Sequence, residues 1–111
     1  MRRALTAVAA LSLASPALAV DYAQCEAMQK TVVRLRAQKK AAVKEQVWEP
    51  HWNELEAACP PSKNMAAWRQ CGVEFEKEAR PQREKQAAAL SQEYDEKIAK
   101  VAADHDEAGC P

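Results

Sequence analysis

Glycine is nearly absent from this chain, with two in 111 residues, and there are only two histidines and one phenylalanine. So little glycine excludes a Gly-rich loop that cradles phosphate. Two histidines, His51 and His105, form no H-E-x-x-H zinc motif and no Ser-His-Asp set. An excess of one charge is lacking too: 16 Lys and Arg face 16 Asp and Glu, which excludes a strongly basic nucleic-acid binder. Large core formers are scarce. Beyond residue 19, only 12 residues are Leu, Ile, Val or Phe, against 17 Ala. Small domains bury a modest share of their surface, so this supply is too small for an enzyme built around a buried pocket. Neither catalysis nor a cofactor is expected.

The one apolar run lies at the start. Arg2 and Arg3 precede an apolar stretch eleven residues long, 4–14, and a small-residue exit Ser15-Pro16-Ala17-Leu18-Ala19 ending in A-x-A. Eleven residues are too few to span a bilayer, which takes about 20. The pattern is that of a cleaved signal peptide over residues 1–19, leaving Val20 at the N-terminus of a single domain, 20–111. No later stretch is apolar enough for a transmembrane helix. Cys25, the first cysteine, lies too far from the cleavage site for lipid attachment. The expected location is the periplasm or the exterior.

In such an oxidising compartment four cysteines read as two disulfides. The segment Asp21 to Ala58 holds no Gly and one Pro, and it is rich in Ala, Lys, Glu, Gln and Arg, all strong helix formers. Cys59-Pro60-Pro61-Ser62 breaks it, Ser62 or Asn64 caps a second helix, and that helix closes at Gly109. The expected fold is all-α: an antiparallel, coiled-coil-like hairpin of two helices. Cys25 and Cys59 would lie about 50 Å apart along one helix, far beyond disulfide reach. Cys71 and Cys110 are equally remote, and a crossed pairing would join opposite ends. The nested set remains, Cys59 with Cys71 and Cys25 with Cys110. This topology resembles that of twin-cysteine helical hairpins. The spacings here, C-x33-C and C-x38-C, differ from the short repeated spacings of those proteins, and no function follows from the resemblance.

Pro50 and Pro81 fall at about the same distance from the Cys59–Cys71 end, about 14 Å, so the hairpin is expected to kink or break there. The apolar stripes require a change near Pro50. Cys25, Met28, Val32 and Leu35 share one face; Trp48, Trp52, Leu55 and Cys59 share another, about 160° out of phase at 100° per residue. A reset between them is needed. The second helix holds one phase through Trp68, Cys71, Phe75, Ala79, Leu90, Tyr94, Ile98 and Val101. So few large apolar residues approach a disordered composition. Closing the Cys25–Cys110 loop offsets that by about 4 to 5 kcal/mol in chain-entropy terms.

Two features suit binding. Trp48, Trp52, Trp68 and Phe75 crowd the half nearest the turn. A local mini-core of Trp52 and Leu55 on Phe75 and Trp68 absorbs some of them, but two helices share one seam, and a ring left outside it anchors a partner. Trp48, His51, Trp52 and Trp68 are the candidate contact residues, with Trp48 and His51 turned off the seam by irregularity beside Pro50. The second feature is Lys30, Arg34, Arg36, Lys39, Lys40 and Lys44, six cations with no acid among them. They form either a solvated face paired in part with Glu93, Asp95 and Glu96 or a band for an anionic surface. Asp104-His105-Asp106-Glu107 is a weak divalent-ion candidate at a helix end where acids oppose the macrodipole. The expected function is a small protein-interaction module of the cell envelope, adaptor or inhibitor in type, docking an envelope protein or a second copy. The alternative is a helical stress chaperone or metal buffer. Helical periplasmic chaperones carry repeated L-T-x-x-Q motifs, and the only Leu-Thr here is Leu5-Thr6.

Overall fold

A computed structural model describes residues 19–111. The signal-peptide reading lies, but for Ala19, outside the described residues. Every regular element among them is helical: α1 (Tyr22–Val43), a π-helical turn (Lys44–Trp48), α2 (Glu49–Ala58) and α3 (Met65–Glu107). Their ends follow from side-chain chemistry. The Asp21 carboxylate accepts from the Gln24 N–H at 3.2 Å, and the Asn64 side chain accepts from the Ala67 N–H at 3.1 Å, so each start has a capped donor. At the far end Gly109 adopts φ 74°. The Gly109 N–H donates to the Asp106 carbonyl and the Cys110 N–H to the His105 carbonyl, the paired bonds of a Schellman cap.

That cap turns the chain back so that Cys110 meets Cys25. Both disulfides form, Cys25–Cys110 with Cα atoms 5.7 Å apart and Cys59–Cys71 at 5.8 Å. Two disulfides fit an oxidising compartment. Among the described residues no helix is long and apolar enough to cross a membrane. Further links join α1 to α3: Lys39 Nζ lies 2.7 Å from Asp95, and the Gln29 side-chain nitrogen 3.4 Å from the His105 ring.

The break expected at Pro81 is not there. Pro81 lies inside α3, which continues from Met65 to Glu107. One missing donor is tolerated because the turns on either side keep their hydrogen bonds. The first helical run changes period instead. The Glu49 N–H donates to the Lys44 carbonyl, five residues back, just ahead of Pro50. Proline has no N–H for the Gln46 carbonyl, and its ring crowds that carbonyl in an α-helix; the wider π turn relieves both.

The π turn also explains the inward face. Cys25, Met28, Val32, Leu35, Lys39 and Ala42 are buried or half-buried at steps of three and four. The next buried residue is Val47, five positions after Ala42 with the half-buried Val43 between them, and His51, Leu55 and Cys59 follow at steps of four. One extra residue is accommodated at the π turn, and the seam continues. The fully buried set is small: Cys25, Ala42, Val47, His51 and Cys59. None of it comes from α3.

Candidate functional site

The aromatic half is organised around a histidine. The π turn rotates His51 into the seam, where it has no exposed surface. The expectation that irregularity beside Pro50 would turn His51 outward is therefore reversed: the extra residue carries it inward. Its Nε2–H donates to Glu76 of α3 at 2.5 Å, while Nδ1 has no hydrogen-bond partner among the described residues. Trp48 packs edge-on at 5.5 Å between ring centres, Trp52 at 4.9 Å, and Phe75 closes the other side at 5.4 Å. The cluster differs from the expected mini-core: an imidazole sits at its centre, and Trp68 is not among its rings but bonded to the Cys59 carbonyl.

Arg80 completes the cluster from α3. Its Nε donates to the second Glu76 oxygen at 2.5 Å, and its guanidinium lies 5.4 Å from the centre of Trp48 and 5.8 Å from that of Trp52, within cation–π range. Burial by itself raises the Glu76 pKa. The hydrogen bonds from His51 and Arg80, followed by their charges, outweigh it and hold the carboxyl below its ordinary value. A histidine beside a carboxylate has the parts of an acid–base pair; here the imidazole has no exposed surface. The pair ties α2 to α3. Glu54 and Arg83 add an ion pair between the same helices.

Trp48 is half-buried, whereas Trp52 and Trp68 are 47% and 38% exposed. The outward indoles are these two. They flank an open groove of about 440 Å³ between α2 and α3, with Leu55, Pro61 and Gly72 among its other walls and Glu56 and Arg69 at its edges. The Trp68 N–H donates to the Cys59 carbonyl at 3.1 Å, which fixes the ring beside the Cys59–Cys71 disulfide.

The basic residues are divided by the fold. Lys39 pairs with Asp95 across helices, Lys30 with Glu26 and Lys44 with Glu49 along the chain. Arg34, Arg36 and Lys40 make no ion pair among the described residues and are exposed. His105, in the acidic stretch at the end of α3, meets Gln29. No cluster of three or more potential metal ligands occurs among the described residues.

Glu76 and Arg80 were not singled out by the sequence. The step of five between the buried residues Ala42 and Val47 was the available signal, and it becomes readable only when the seam on each side is known. No protein family, curated protein or solved structure matches this chain.

Proposed function

We propose that this chain is an exported protein-interaction module of the cell envelope, adaptor or inhibitor in type and without catalytic activity. In this reading residues 1–19 direct export and are removed, and the disulfides close in the periplasm or outside the cell. The chain folds back as an antiparallel helical hairpin, bent where Pro50 and Pro81 lie. The order of cross-links supports the hairpin: Cys25 with Cys110, Gln29 with His105, Lys39 with Asp95, His51 with Glu76 and Cys59 with Cys71. Partner numbers fall as the first numbers rise.

The observation that carries the docking reading is the pair of indoles, Trp52 and Trp68, exposed on either side of an apolar groove. Exposed aromatic pairs beside a groove are where interface energy concentrates. Arg34, Arg36 and Lys40 supply a separate electrostatic contact for an anionic surface. The test is a photo-crosslinking amino acid at Trp52, introduced into the exported protein and activated in intact cells. Discrete protein adducts are expected, and Trp68→Ala should abolish them. A folded, oxidised protein that gives no adduct would overturn the reading.

A further inference from the structure

Gly72 is not explained by the chain's own contacts. It lies inside α3, where glycine is the least favourable residue after proline, and its φ is not positive. A Cβ built there would meet nothing within 4 Å. No close approach within the chain demands a glycine. The gap opens into the groove, one helical turn beyond Trp68 and across from Trp52. Because the Trp68 N–H is already bonded to the Cys59 carbonyl, that ring can leave water without orphaning its donor.

We propose that a second copy of this chain fills the groove, in a two-fold dimer that seats Trp68 of each copy over Gly72 of the other. The proposal rests on the docking reading above and names the occupant. The spacing is the first argument. Trp68 and Gly72 lie four residues apart, about one turn. Two α3 helices laid antiparallel about an axis level with Gln70 bring each ring opposite each gap at once. An isologous contact requires such a pattern, since whatever residue i meets must meet i in return. Charge is the second. The groove edges carry Glu56 on α2 and Arg69 on α3, and the same axis brings each Glu56 toward the other copy's Arg69. Area is the third. The exposed parts of Trp52 and Trp68 in the groove, with Met65 and Val73 of α3 outside its lining, from 38% to 61% of each residue, amount to roughly 400 Å² per copy, or about 800 Å² over both copies, the low end of transient contacts. That is the size of a reversible contact, and it would cover a helix that has no fully buried residue of its own.

Sedimentation velocity on the oxidised protein, from about 1 µM to about 1 mM, should show a monomer giving way to a dimer. Gly72→Leu fills the gap and Trp68→Ala removes the ring; each should weaken association by about tenfold or more, with helicity by circular dichroism and both disulfides kept in Gly72→Leu. Glu56→Arg alone and Arg69→Glu alone should each weaken the dimer, and the double exchange should restore it. Restoration is particular to a two-fold self-contact, in which each copy brings both charges. A monomer at every concentration, or a Gly72→Leu protein that associates as tightly as the parent, overturns the proposal. If sedimentation finds only monomer while crosslinks at Trp52 capture a different protein, the second copy falls and the docking reading stands. With neither dimer nor adduct, both fall.

Discussion

At the scale of single residues, His51 and Gly109 do most to shape the molecule. Among the described residues His51 is the one fully buried polar side chain, and its bond to Glu76 joins α2 to α3. His51→Ala removes both the packing and the hydrogen bond, so a loss of about 2–3 kcal/mol is expected in urea denaturation. Glu76 has a pH signature. Its carboxyl is held below the ordinary glutamate value when folded, by the hydrogen bonds from His51 and Arg80 against the opposing effect of burial. Its contribution is therefore complete above about pH 5 and is lost as pH falls through the folded value. The urea midpoint of the parent should drop more steeply between about pH 5 and pH 3 than that of Glu76→Gln. The glycines should respond in opposite directions. Gly72→Ala replaces a helix-interior glycine facing open space and should raise stability by about 0.5–1 kcal/mol. Gly109→Ala forces an alanine to φ 74° and should cost about 1 kcal/mol. Thermal melts of the two variants would check the signs.

At the scale of elements, the π turn Lys44–Trp48 deserves its own test. Its role is to absorb one residue so that Val47 and His51 enter the seam that Ala42 leaves. Deleting Gln46 should close the turn to an ordinary α period and leave the inward face in phase, with both disulfides formed. Deleting Ala57 instead rotates Cys59 by about 100°, away from Cys71, in a helix that has no surplus residue. Peptide mapping without reduction should recover Cys59–Cys71 from the first variant and not from the second. An equal outcome in both would remove the π turn from the account of the seam.

At the scale of the whole molecule, two covalent links stand in for a core of five buried residues among those described. Their loops differ greatly, with a sequence separation of 85 for Cys25–Cys110 and 12 for Cys59–Cys71. In chain-entropy terms, losing the longer loop costs about 1.5–2 kcal/mol more than losing the shorter. Replacing each pair by Ala and comparing urea midpoints should reproduce that order. If residues 1–19 are removed on export, mass spectrometry of the envelope protein should find Val20 at its N-terminus, and an intact Met1 would contradict it.

Much of this architecture was legible in the chain because its determinants are local. Ala, Glu, Lys and Gln runs dictate helices whatever surrounds them. Asp21 and Asn64 cap their own next turns, Gly109 supplies a positive φ at a helix end, and helix length alone keeps Cys25 from Cys59. The placement of the aromatic half was not legible, because it depends on a rotation set in one turn and felt at the next. The stripes called for a reset near Pro50, but only packing against α3 fixed it as a single inserted residue. That residue turns His51 inward to Glu76, leaves Trp48 half-covered and puts Trp52 at the surface. The sequence alone determined the helices and which cysteines could meet; the tertiary structure decided which rings face solvent, because a helix's phase about its axis is settled by the surface it packs against.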